Sequence, residues 1–130
     1  MRLIYLDSCI LIYAVQDAST RGDAVRSRIG REKSRLAISP LVMLECLVDA
    51  LRRDDQPLRD HFNRVFKSCG LLDLAVPEFV QAAELRAQHG IGTADSLHLA
   101  AAQISGCDEL WTNDTRLSSA SRSLAVNLLG

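Results

Sequence analysis

The sequence predicts an α/β fold with a mainly parallel sheet of four or five strands flanked by helices. Short apolar strands alternate with helical segments along the chain, which is the pattern of a parallel sheet. The run Leu3–Leu6 has no polar alternation, so both faces of this strand are expected to be buried. No repeat or linker divides the 130 residues. We therefore expect one domain over residues 1–130.

The first half of the chain is expected to contain two strands and four helices. After the first strand come a helix through residue 15, a helix at 21–30, a strand at 36–38, and helices at 40–51 and 57–69. Asp7 ends the first strand, and Ser8, Thr20 and Ser39 can each cap a helix. Pro40 suits the first position of the helix that follows Ser39.

The helix after the second strand carries an apolar stripe that is expected to face the core. Its residues are Leu41, Leu44, Val48 and Leu51, which recur at helical spacing. Glu45 lies beside this stripe, three or four residues from two of its members. An unpaired carboxylate there would be costly. Glu45 is therefore expected to bind a metal or to pair with a cation such as a buried arginine.

The second half of the chain is expected to place two successive helices between the third and fourth strands. The predicted strands are 71–76, closed by Pro77, then 110–112 and 125–129; the first of the two helices ends at Gly90 and the second at Gly106. Thr93 is the expected cap of the second helix. Asp95 lies in its first turn, where the helix dipole favours negative charge.

Composition and charge narrow the functional classes. The net charge is −1, with 48% hydrophobic and 24% charged residues, as in ordinary soluble proteins rather than disordered or strongly basic ones. Arginines concentrated at 21–35 are either a basic rim or a solvated helix face. No apolar run is long enough to span a membrane, and no signal peptide is apparent, so a cytoplasmic protein is expected. The four scattered cysteines are expected to be reduced thiols, mostly buried.

Four acidic residues stand in apolar surroundings: Asp7, Glu45, Asp95 and Asp114. Asp7 and Asp114 follow the ends of strands, and Glu45 is in the second turn of a helix that leaves another strand. Ligands of parallel sheets gather at the carboxyl ends of the strands. Topology therefore predicts that these three converge, whereas it leaves the position of Asp95 open.

Clustered carboxylates point to a divalent cation, which offsets their mutual repulsion. Oxygen ligands favour Mg²⁺ or Mn²⁺, and such sites hydrolyse phosphate esters through metal-activated water. Ser8, Thr112 and Asn113 are close enough in sequence to contact a phosphate oxygen or a metal-bound water. His98, three residues after Asp95, is expected to be a packed or hydrogen-bonded residue rather than a ligand or base.

Four segments resemble PIN domains in their order and spacing. They are residues 6–13, the Ser39-Pro40 helix with Glu45, residues 93–100 and residues 110–114. Together they make the chain similar to the stand-alone PIN-domain ribonucleases of the VapC toxin type, from type II toxin–antitoxin systems. One departure is Arg116-Leu117 after Asp114, where an aromatic residue is frequent in the family; it affects local packing more than chemistry.

The resemblance implies more than the spacing does. It implies a PIN-like, Rossmann-like sheet, an endoribonuclease that cleaves RNA, a homodimer and a cognate antitoxin. It also implies Mg²⁺ or Mn²⁺ held by Asp7, Glu45, Asp95 and Asp114, which would be the catalytic residues. Two alternatives stay open. An aspartyl-phosphate phosphatase would need an aspartate where this chain has Cys9, and a catalytically silent PIN-like module would bind RNA or protein without cleaving.

Overall fold

The computed structural model describes residues 2–129, which form five strands and seven helices. In chain order these are β1 (Leu3–Leu6), α1 (Ser8–Gln16), α2 (Thr20–Arg31), β2 (Arg35–Ile38), α3 (Pro40–Arg52), α4 (Gln56–Lys67), β3 (Gly70–Leu71), α5 (Val76–His89), α6 (Thr93–Ile104), β4 (Glu109–Thr112), α7 (Thr115–Ala120) and β5 (Ala125–Asn127). The predicted α/β class is confirmed. Within residues 2–129, no helix has the length and apolar character needed to cross a membrane.

The central strand of the sheet is β1. The strand order is β3-β2-β1-β4-β5, and every pairing is parallel. Tyr5 lies opposite Ala37 of β2 and Leu110 of β4, and all three side chains are buried, as expected for a strand covered on both faces. The carboxyl ends of β1, β2 and β4 therefore lie side by side, and α1, α3 and α7 begin beyond them.

The third strand is much shorter than predicted. β3 contains only Gly70 and Leu71 rather than residues 71–76, and α5 already begins at Val76. Pro77 lies in the first turn of α5, where proline is tolerated because the first N–H groups have no partner within the helix. The carboxylate of Glu78 accepts a hydrogen bond from the N–H of Ala75 (2.7 Å) and closes this turn.

The buried face of α3 also differs from the prediction. Its core residues are Val42, Cys46 and Ala50, spaced four apart, whereas the predicted stripe residues Leu44, Val48 and Leu51 are exposed. This helix is apolar on two sides, so spacing alone does not decide which side packs. The smaller side chains of Cys46 and Ala50 let the helix lie close to its neighbours. Glu45 stands at the edge of the buried face.

Three of the four predicted helix caps are displaced, and one serves another purpose. Ser8 is the first residue of α1 rather than its cap, and Asp7 occupies the cap position. Ser19, not Thr20, caps α2, and Thr93 is the first residue of α6 rather than its cap. Ser39 precedes α3 as expected but makes no cap hydrogen bond. Its buried hydroxyl is instead 2.8 Å from the hydroxyl of Tyr5. The start of α3 is thus tied to the central strand.

All four cysteines are free thiols, as predicted. Cys46 and Cys107 are buried. Burial raises the pKa of Cys46 to about 12 and that of Cys107 to about 11. Both therefore stay protonated at neutral pH and act as small apolar side chains.

Candidate functional site

A pocket of about 350 Å³ opens at the carboxyl edge of the sheet and holds all four acids singled out from the sequence. Its walls are formed by Asp7, Ser8, Cys9, Tyr13, Glu45, Asp95, Asn113, Asp114 and Thr115. A second pocket of similar volume lies beside β3 and is lined by Ile38, Met43, Phe66 and three other residues, none of them acidic. Of these two pockets, the acid-lined one is the better suited to a cation.

Asp7 is held at the end of β1 by the neighbouring strand. Its N–H donates to the carbonyl of Trp111 (3.0 Å), which continues the β1–β4 ladder by one residue. The hydroxyl of Thr112 donates to the Asp7 carboxylate (2.8 Å), and that of Ser8 approaches it at 3.3 Å. Asp7 is almost fully buried, so its direction is fixed before any ligand binds.

Glu45 is oriented by a histidine that the sequence did not identify as its partner. The Nε2 atom of His98 lies 2.6 Å from Oε1 of Glu45 and 3.5 Å from Oδ1 of Asp7. The hydroxyl of Ser8 donates to the same Oε1 (2.9 Å). The hydrogen bond from His98 lowers the pKa of Glu45, so this carboxylate is ionised at neutral pH.

The prediction of a packed or hydrogen-bonded histidine is confirmed, but the partner of His98 is an acid of the pocket. The signal in the sequence was the spacing of three residues between Asp95 and His98, which places both on one side of α6. The alternative in which Glu45 pairs with a buried arginine is wrong. Histidine supplies the donor there.

Asp95 and Asp114 form the other wall of the pocket. Asp95 lies in the first turn of α6, and α6 begins at the same edge of the sheet as α1 and α3. Burial, together with the charges of Asp114 and Asp7, raises the pKa of Asp95 to about 6. Although partial burial opposes it, hydrogen bonds from the N–H of Arg116 and from Asp95 lower the pKa of Asp114. Of the two, Asp95 takes up a proton first.

The three further residues predicted near the site have different positions. The hydroxyl of Ser8 donates to Glu45 and lies 3.3 Å from the carboxylate of Asp7. Thr112 is fully buried, so its hydroxyl has no access to a phosphate. The hydroxyl donates to Asp7 and accepts a hydrogen bond from the N–H of Asp114 (3.1 Å), and it thereby orients both acids. Asn113 lines the pocket, and its amide donates to the hydroxyl of Tyr13 (3.4 Å).

The donor set suits a hard divalent cation. Nine residues line the pocket, and the ionisable ones include four carboxylates and neither lysine nor arginine. Oxygen atoms of Asp7 and Glu45 and a nitrogen of His98 lie within 4.8 Å of one another. Because Nε2 of His98 is already bonded to Glu45, the carboxylate oxygens remain for the cation. Uncompensated negative charge also contributes to the raised pKa of Asp95, and a cation would remove that contribution.

The predicted basic segment reaches the pocket at one point. The guanidinium of Arg21 stands 4.5 Å from the ring centre of Tyr13, a pocket residue, and pairs with Asp17 (2.7 Å). Arg28 lies over the ring of Trp111 (5.0 Å). Positive charge therefore borders the acidic pocket at Tyr13, while Arg26 of α2 donates to the carbonyls of Ala14 and Asp17 at the end of α1.

The chain matches the PIN domain family model over residues 4–123. Its fold is similar to that of a toxin–antitoxin complex chain from Klebsiella pneumoniae, with 18% identity, a TM-score of 0.79 and coverage of 96% of this chain and 97% of that one. The fold is also similar to that of VapBC2 from Rickettsia felis, bound to a DNA fragment from its promoter. The identity is 17%, the TM-score is 0.80, and the match covers 95% of this chain and 97% of that one. A third similar structure is VapC20 from Mycobacterium tuberculosis, a sarcin-ricin loop cleaving toxin. Its identity is 16% and its TM-score 0.76, and the match covers 90% of this chain and 94% of that one. No curated protein matches the chain.

Proposed function

The chain belongs to the PIN domain family, and on this premise we propose that it is an endoribonuclease dependent on Mg²⁺ or Mn²⁺. The observation that carries the proposal is the convergence of Asp7, Glu45, Asp95 and Asp114 in one open pocket. These four residues would hold the cation, and residues 1–130 would form a single PIN domain. The silent binding module remains the second candidate, because a pocket can bind RNA without cleaving it.

A bound Mg²⁺ or Mn²⁺ would lower the pKa of the attacking water and stabilise charge on the departing oxygen of a phosphodiester. The chain's own residues orient the carboxylates for this. Thr112 holds Asp7, and Ser8 and His98 hold Glu45. Asp95 holds a proton at acidic pH and loses it at neutral pH, so that all four carboxylates would then be ionised and could face the cation. The open pocket admits a phosphodiester from outside.

The toxin role and the partners are part of the same proposal. The structural neighbours include toxin–antitoxin complexes and a loop-cleaving toxin, which supports an RNA substrate, a cognate antitoxin and action in the cytoplasm. A homodimer is supported by apolar residues left exposed on two helices. These are Leu44, Val48 and Leu51 of α3 and Val76, Phe79 and Val80 of α5. Exposed apolar area of this kind marks interaction surfaces.

Cleavage of an end-labelled RNA tests the nuclease function. We expect cleavage with Mn²⁺ or Mg²⁺ and none with EDTA. Asp7→Asn keeps the shape of the side chain but removes its charge, so it should abolish cleavage with the circular dichroism spectrum unchanged. Asp73→Asn, at an exposed residue outside the pocket, is the matched control and should cleave normally. RNA binding without cleavage in Mn²⁺ would replace this function with the silent module.

A further inference from the structure

A chain of buried hydrogen bonds runs from the start of α3 to the pocket. The hydroxyl of Ser39 lies 2.8 Å from that of Tyr5, which lies 2.6 Å from Nδ1 of His98. On the other side of the ring, Nε2 lies 2.6 Å from Oε1 of Glu45. Ser39, Tyr5 and His98 are all at most 1% exposed. Water therefore has no access to the Ser39–Tyr5 and Tyr5–His98 bonds.

With a neutral imidazole at His98, one arrangement of protons satisfies every member of the chain. The ionised carboxylate of Glu45 can only accept, so Nε2 of His98 must carry a hydrogen. In the neutral ring Nδ1 is then an acceptor, and the hydroxyl of Tyr5 donates to it. Burial raises the pKa of Tyr5, so this hydroxyl keeps its proton. The oxygen of Tyr5 in turn accepts from Ser39.

We propose that His98 is a positioning residue for the cation site, which Tyr5 and Ser39 hold in the orientation that presents Nε2–H to Glu45. This fixes Oε1 of Glu45 and leaves Oε2 to the cation. The same N–H stands between Glu45 and Asp7, where it reduces the repulsion between two carboxylates that must converge. For its catalytic consequence the proposal rests on the proposed function. The hydrogen-bonded chain itself belongs to the metal-free protein.

The tautomer of His98 can be read directly. Long-range ¹H–¹⁵N spectra of the metal-free protein distinguish the ring nitrogen that carries hydrogen from the one that does not. We expect Nε2–H with a bare Nδ1 at His98, while the exposed His61 and His89 serve as references. A hydrogen on Nδ1 with a bare Nε2 would overturn the proposal.

Mn²⁺ affinity of His98 variants separates positioning from packing. His98→Leu removes the N–H, and we expect Mn²⁺ binding about 10–100-fold weaker, as for loss of other groups that orient metal ligands. His98→Gln can place an amide N–H near the position of Nε2 and should recover most of that loss. An equal loss in both variants, or no loss in His98→Leu, would contradict the proposal. Both affinities are measured by calorimetry below the melting temperature of each variant.

Tyr5→Phe tests the far end of the chain. It keeps the ring in the core but leaves Nδ1 of His98 without its donor, so Mn²⁺ affinity should fall severalfold. The control is Ser121→Ala, which removes a buried hydroxyl bonded to Ser118 (2.9 Å) outside the pocket. It should lower the melting temperature without changing Mn²⁺ affinity. Unchanged affinity in Tyr5→Phe would refute its role. A wild-type protein that binds Mn²⁺ but cleaves no RNA would refute the nuclease function alone.

Discussion

Replacing Asp95 with asparagine should stabilise the metal-free protein at neutral pH. The pKa of Asp95 is about 6 in the folded protein, against an ordinary value of 3.8. Between about pH 4 and pH 6 the folded state therefore holds a proton that the unfolded chain has lost. Stability must then fall as the pH rises through this interval. Asparagine does not titrate, so the Asp95→Asn variant should not lose this stability as the pH rises.

The expected size of the effect follows from the pKa difference. A shift of about two units corresponds to about 3 kcal/mol when the charges are unscreened. Asp95 is only partly buried, and solvent weakens its interaction with Asp114 and Asp7, so we expect roughly 1–1.5 kcal/mol at pH 7.5. About half of that gain should already be present at pH 5. At pH 7.5 it corresponds to a rise in melting temperature of about 3–6 °C.

Urea unfolding in EDTA at pH 5.0 and pH 7.5 measures this gain. Asp73→Asn is the matched control; as an exposed substitution it should change the free energy of unfolding by less than about 0.5 kcal/mol at both pH values. Saturating Mn²⁺ should then stabilise the wild type more than Asp95→Asn, because the variant lacks one of the four proposed ligands. A gain of the same size at both pH values, or a less stable variant at pH 7.5, would refute the reasoning.

Three further predictions concern the cation, the thiols and the exposed face of α3. Mn²⁺ at 100 times its dissociation constant should raise the free energy of unfolding by about 2.7 kcal/mol; calorimetry that shows no shift in Mn²⁺ would argue against a cation site. Cys46 and Cys107 should react with Ellman's reagent far more slowly in native protein than in urea, and equal rates would show that they are accessible. Leu44→Glu should shift the proposed homodimer towards monomer in sedimentation equilibrium with the circular dichroism spectrum unchanged; an unaltered dimer would place the interface elsewhere.

The sheet and part of the site follow from the sequence for simple reasons. A fully apolar strand before Asp7 and a short, mainly apolar strand (Leu110–Thr112) before Asp114 favour burial on both faces, and the carboxyl ends of parallel strands meet at one edge. That argument brings Asp7, Glu45 and Asp114 together. The same argument does not place Asp95, because two helices follow the third strand. The spacing of residues does not show at which edge of the sheet the second of these helices begins. Asp95 enters the pocket only because α6 starts at the same edge.

Other features could not be predicted because they depend on packing between distant elements. The buried side of α3 was wrongly assigned to the stripe containing Leu44, since large apolar residues on a surface that remains exposed in the monomer look like core residues. The hydroxyl of Ser39 was assigned to a helix cap, but it is bonded to Tyr5 instead. The partner of His98 lies 53 residues away in the chain. No local pattern contains such a pairing.

The hydrogen bond between Thr112 and Asp7 joins residues 105 positions apart, and this has a consequence for synthesis. A nascent chain that has released only β1 to α5 contains Asp7 and Glu45 but neither Asp95 nor Asp114. β1 then lacks β4, its neighbour on one side of the sheet. Domains can begin to fold while the rest of the chain is being made, but this pocket closes only after β4 has emerged. The proposed nuclease would thus be inert through most of its own translation, when it lies nearest to the ribosome and its RNA.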